Sequence, residues 1–175
     1  MTTVPGDGRG PGRPAVVVLG VGNPMRCDDG VGPAAVGVLA RRGVGPGVEL
    51  RAIGGEPTGL IEAWADRRLA VVVDAVRSGR SPGTVHRLDA DRDRLPGGTG
   101  GASGHGAGVG EALALARALG RRPRRLVVLG IEAGELGHGS GLSPPVAAAL
   151  HQLVDRVVAE IGADRARCGL GQGVR

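Results

Sequence analysis

Apolar and polar positions along this chain fall into two alternating patterns, short unbroken apolar runs and longer stretches with apolar residues at helical spacing. The first run, Ala15-Val16-Val17-Val18-Leu19, ends at a glycine, as strands buried on both faces of a parallel sheet do. Val31 to Arg42 then carries Val31, Ala34, Ala35, Val38 and Leu39 at helical spacing, with Gly43 as a stop. A second strand is predicted over 48–53, a short helix over 58–65, and another fully buried run over Leu69-Ala70-Val71-Val72-Val73. The order β-α-β-α-β predicts a doubly wound sheet. Residues 75–88 form an excursion, in which the turn chemistry of Arg77-Ser78-Gly79-Arg80-Ser81-Pro82-Gly83 leads into Thr84 to Leu88, alternating like a strand with one wet face.

Residues 96–110 hold eight glycines and are predicted as loop, followed by an alanine-leucine helix from Glu111 to Leu119 that Gly120 stops. Leu126 to Ile131 is the last buried strand, and 134–141 is a second flexible loop. Ser143-Pro144-Pro145 opens a terminal helix, with the serine as N-cap and Val146, Leu150, Leu153, Val154 and Val157 on one face. The expected fold class is α/β, a three-layer α/β/α sandwich around a mostly parallel twisted sheet. It occupies a single domain over 15–162, between a disordered extension over 1–14, rich in Gly, Pro and Arg, and a flexible tail over 163–175.

Composition narrows what such a domain can do. A chain of 175 residues can bury a sizeable core without disulfide staples. Phe and Tyr are absent and Trp64 is the one aromatic, so the core is built from aliphatic side chains, and the composition argues against stacking-based recognition of single-stranded nucleic acid. The net charge of +5 comes from arginine alone, with a local cluster at Arg121, Arg122, Arg124 and Arg125. No recognition motif accompanies that charge, so no nucleic-acid partner is expected. The absence of lysine removes P-loop and Schiff-base chemistry. Cys27 and Cys168 form no CxxC pattern, and no apolar stretch approaches the ~20 residues that span a bilayer. No membrane partner is expected, and a cytoplasmic location is.

The candidate chemistry is split between distant segments. Gly20-Val21-Gly22 after a strand invites a dinucleotide-binding reading, but Met25 stands where the fingerprint needs its third glycine and Pro24 disturbs the helix start. Asp28 and Asp29 precede the first helix; one of them is expected to cap it, and the other is free to project into the crevice at the carboxyl ends of the strands. Asp74 closes an apolar run beside a low-dielectric core, where a carboxylate needs hydrogen bonds, an arginine partner or a metal. His105 lies between Gly104 and Gly106. Two carboxylates and this imidazole would make a ligand set suited to nickel, zinc or manganese with positions left open. His138 is a competing ligand and Glu132 a further carboxylate, although each also fits ordinary loop polarity. Gly101-Ala102-Ser103-Gly104-His105 lacks the closing glycine of a serine-hydrolase elbow and does not follow a strand, and no HExxH helix is present.

Four segments, 20–32 (GVGNPMRCDDGVG), 71–83 (VVVDAVRSGRSPG), 103–120 (SGHGAGVGEALALARALG) and 127–149 (VVLGIEAGELGHGSGLSPPVAAA), resemble in content and order the endopeptidases that mature nickel-iron hydrogenases. The resemblance implies a hydrolase that removes the C-terminal extension of a hydrogenase large-subunit precursor once nickel is inserted. It places the metal-contacting and catalytic residues at Asp29, Asp74 and His105, and makes the nickel a passenger of the precursor, for which other divalent metals can act as surrogates. The implied partner is that precursor, bound by a monomer. The glycine loops 97–110 and 134–141 would wall a peptide cleft and order around the substrate. The competing readings are a non-cleaving nickel- and precursor-binding maturation chaperone and a nucleotide-binding regulator using the Gly20-Val21-Gly22 turn.

Overall fold

A computed structural model describes residues 14–93 and 106–170. Five strands, β1 (Val16–Val21), β2 (Val48–Ile53), β3 (Leu69–Val76), β4 (Val85–Asp89) and β5 (Arg125–Glu132), form one sheet in the order β2-β1-β3-β5-β4. The β1–β2, β1–β3 and β3–β5 pairs are parallel, and β4 runs antiparallel on the edge beside β5. An antiparallel edge strand needs no crossover helix, which is why the short connection 77–84 suffices between β3 and β4. The expected α/β sandwich with a mostly parallel sheet is therefore the observed architecture.

Successive side chains of a strand face opposite ways, so each buried run feeds two cores. Val16, Val18, Val71, Val73, Val127, Leu129 and Ile131 pack on the face covered by α1 (Val31–Arg42) and α4 (Pro144–Leu170). Val17, Leu19, Ala70, Val72, Leu126 and Val128 face α2 (Pro57–Trp64) and α3 (Gly106–Ala118), where the fully buried Trp64 fills the space. By the same alternation Asp74 falls on the α2–α3 face, in line with Ala70 and Val72. No helix among the described residues is long and apolar enough to cross a membrane.

The structure departs from the sequence expectations at three element ends. β3 continues to Val76 because Ala75 and Val76 pair with Ile131 and Glu132, so Asp74 lies inside the strand, opposite Gly130, rather than at its end. α3 begins at Gly106 instead of Glu111, although glycine is a poor helix former. Tertiary packing prevails here: Val109 and Ala112 are buried, and a Cβ at Gly108 would come within 2.4 Å of the Gly55 carbonyl oxygen. α4 runs on to Leu170 through the segment expected as a flexible tail from 163, because Ile161 is buried and Asp164 accepts two hydrogen bonds from the Arg68 guanidinium. The expected extension over 1–13, the glycine-rich stretch 96–105 and the tail end 171–175 lie outside the described residues.

Candidate metal-binding and catalytic site

β1 has β2 on one side and β3 on the other, so the chain leaves the carboxyl ends of β1 and β3 in opposite directions and opens a crevice between them. A 3-10 turn, Cys27–Gly30, carries both aspartates from β1 into α1. Its glycines permit contact closer than any side chain would. A Cβ at Gly20 would lie 2.2 Å from the Gly32 carbonyl oxygen, and one at Gly22, where φ is +128°, would lie 1.9 Å from that of Asp29. The Gly20-Val21-Gly22 motif thus seats the turn and α1 against β1, which accounts for the glycines without a nucleotide.

Neither aspartate was left to cap α1: its N-cap is Gly30, with no side-chain cap hydrogen bond, contrary to the expectation for one of the pair. Asp28 is fully buried and reaches across the molecule. Its carboxylate accepts hydrogen bonds from the Gly134, Glu135 and Ser143 N–H groups and from the Ser143 hydroxyl, at 2.6–2.8 Å. Ser143 stands where an N-cap of α4 should, and its hydroxyl donates outward to Asp28. Backbone bonds Cys27 N–H to Gly139 O, Asp28 N–H to Glu135 O and Gly139 N–H to Met25 O complete the contact. The 134–141 segment, expected as a flexible loop, is therefore docked along the turn before any substrate arrives.

Asp29 is buried, and its Oδ2 accepts the Asn23 N–H at 2.8 Å. Asp74 is 1% exposed, and neither of its carboxylate oxygens has a hydrogen-bond partner among the described residues. No arginine among the described residues pairs with it. Burial, and after it the neighbouring negative charge of Asp29, push the Asp74 carboxyl up to about 7. An unsatisfied buried carboxylate beside a second one is costly alone and fits a divalent cation, which would offset both charges.

The third expected ligand, His105, lies outside the described residues; α3 starts at the next residue and packs on α2 and β3. Among the described residues no three His, Cys, Asp or Glu side chains converge as a metal site. Glu132, the further carboxylate, is already committed. It accepts hydrogen bonds from the Ser78 N–H and hydroxyl and from the Gly79 N–H, and pairs with His86 Nε2 at 3.2 Å. Burial alone would raise its pKa, but these hydrogen bonds outweigh it and hold the group below its ordinary value. His138 is exposed on the docked loop. Sequence reasoning missed the work of Asp28 and the Glu132–His86 pair, since no local signal links residues so far apart.

Residues 35–160 match the family model of the HycI hydrogenase maturation proteases. The chain belongs to the hydrogenase maturation protease family. It is 36% identical over 135 residues to the hydrogenase expression/formation protein HupD of Thiocapsa roseopersicina, covering 76% of this chain and 61% of that protein. To the hydrogenase 2 maturation protease of Escherichia coli K12 it is 30% identical over 149 residues, covering 83% and 90%. The solved structure of the hydrogenase maturating endopeptidase HybD from E. coli superposes with a TM-score of 0.77 at 29% identity, over 85% of this chain and 92% of that one. This is a family of peptide-bond hydrolases acting in hydrogenase maturation. The family match includes Asp74 and begins after the turn that carries Asp28 and Asp29.

Proposed function

We propose that this hydrogenase maturation protease homologue removes the C-terminal extension of a nickel-loaded hydrogenase large-subunit precursor. The observation that carries the reading is Asp74, buried inside β3, with neither oxygen hydrogen-bonded among the described residues and the Asp29 carboxylate close enough to raise its pKa. Asp29 and Asp74 would contact the nickel that the precursor brings, with His105 as the third ligand; other divalent cations would serve as surrogates on the same oxygen and nitrogen donors.

Such a site selects for loaded substrate. Two carboxylates facing each other in a low-dielectric crevice repel, and a divalent cation in the incoming chain relieves both charges at once, whereas a metal-free precursor offers no compensation. When bound, such a cation would supply Lewis-acid polarisation of the scissile carbonyl or a more acidic water. Hydrolysis then adds hydroxide to the carbonyl carbon and a proton to the departing amine. Asp28 contributes by fixing the turn, and the docked 134–141 segment forms one border of the crevice beside it.

The test is to mix the purified protein with its large-subunit precursor, with and without nickel, and follow the precursor's mass. Discrete loss of a C-terminal peptide from the loaded form alone is the expected result. Stable binding of a confirmed loaded precursor without any mass change would overturn the reading in favour of a maturation chaperone.

A further inference from the structure

We infer that Met25 seats the precursor's peptide, making apolar contact with a side chain near the scissile bond; the inference rests on the cleavage reaction proposed above and adds a specificity-determining residue to it. Among the described residues only Met25, Leu115 and Leu119 are large hydrophobics left exposed; Leu115 lies on α3 and Leu119 just past its end. Met25 is 64% exposed in the connection that leads into the Cys27–Gly30 turn of Asp29.

A lone exposed apolar side chain is ordinary, and it is the setting of this one that gives it meaning. The Met25 N–H donates to Asn23 Oδ1 at 2.9 Å, and its carbonyl accepts the Gly139 N–H at 3.0 Å. Asn23 in turn donates its own N–H to Asp29 Oδ2 at 2.8 Å, so one short relay joins the backbone of Met25 to the carboxylate. The preceding Pro24 is pressed onto the turn, since a Cβ at Gly30 would lie 2.9 Å from its Cα. The hydrogen bonds of position 25 among the described residues are made by its backbone, and its side chain is mostly exposed, so the fold should tolerate a polar residue there. What stands there is an unbranched thioether on a fixed base, which adapts to irregular apolar shapes.

The occupant follows from the reaction. A precursor whose metal lies on Asp29 and Asp74 brings its own chain across the turn that holds Asp29, and that segment is what would cover Met25. A fixed backbone with an adaptable side chain keeps the ordering cost of binding low.

The experiment compares wild type, Met25→Glu and Met25→Leu on the nickel-loaded precursor. It reads kcat and KM by mass spectrometry and precursor Kd by calorimetry, with Tm and affinity for free Ni2+ as controls. Met25→Glu should raise KM and Kd by roughly tenfold or more, the loss of one buried apolar side chain, while kcat, Tm and Ni2+ affinity stay near wild type. Met25→Leu should behave as wild type. Unchanged KM and Kd in Met25→Glu would overturn the inference, as would weakened Ni2+ affinity or a lowered Tm, because either would mean that the side chain supports the turn. If wild type binds the precursor and does not cut it, the cleavage reading fails on its own, and the Kd comparison still decides the role of Met25.

Discussion

Replacing Asp74 by asparagine should make the metal-free protein more stable at alkaline pH while removing its activity. The carboxyl is pushed from 3.8 to about 7 by burial and by Asp29. A group whose pKa is raised on folding holds its proton more tightly in the folded state, so stability is greatest below the unfolded value and falls as pH rises through the window up to the folded value. That window runs from about 4 to about 7. Roughly three pKa units correspond to about 4 kcal/mol, an upper bound on what ionised Asp74 costs the fold at pH 8. Asparagine has nearly the same shape and no charge to ionise, so Asp74→Asn should escape this loss. Urea denaturation of both chelator-treated proteins at pH 4.5, 6 and 8 measures it: the two should be similar at the lowest pH and diverge in favour of the variant at the highest. Parallel stability curves across that range would refute the reasoning, since they would mean that Asp74 ionises without penalty. A stabilised variant that no longer processes precursor would show a site held against the interest of the fold.

Three further outcomes follow from the same contacts. His105→Ala should abolish processing of the loaded precursor in the mass assay, and normal cleavage by that variant would remove the three-ligand site. Asp28→Asn replaces one acceptor oxygen with an NH2 group that faces the donors of the 134–143 segment and should cost about 3 kcal/mol or more in urea unfolding; a loss below about 1 kcal/mol would show that the clamp is not structural. Gly20→Ala forces a Cβ to 2.2 Å from the Gly32 carbonyl oxygen, and the displacement of α1 from β1 should lower stability by roughly 2–3 kcal/mol and activity with it; an unchanged Tm would contradict the close contact.

Much of the fold was legible because its signals are local. The unbroken apolar runs at 15–19 and 69–73 are typical of strands covered on both faces, and α1 and β2 have the bounds that their periodicity predicts. Asp29 and Asp74 were legible as chemistry because one precedes a buried helix start and the other closes an unbroken apolar run, where a carboxylate needs a reason to be. The glycines at 106, 108 and 110 misled, since their low helix propensity is overruled by the packing of α3 on the 54–56 connection. The serine before α4 signalled a cap, and its hydroxyl instead serves a carboxylate 115 residues earlier in the chain.

By itself, then, the sequence determined the layered α/β class, the order of its strands and helices, and the placement of two aspartates at the ends of buried runs, because periodicity and turn chemistry act over a few residues. Only the tertiary structure decided which aspartate does what. Asp28 found four donors more than a hundred positions away and became a clamp, Asp29 stayed in the turn, and Asp74 was left on the α2–α3 face with no hydrogen-bond partner among the described residues. Hydrogen bonds across such distances are set by how the helices and loops pack onto the sheet, a property of the assembled layers that no local stretch of chain encodes.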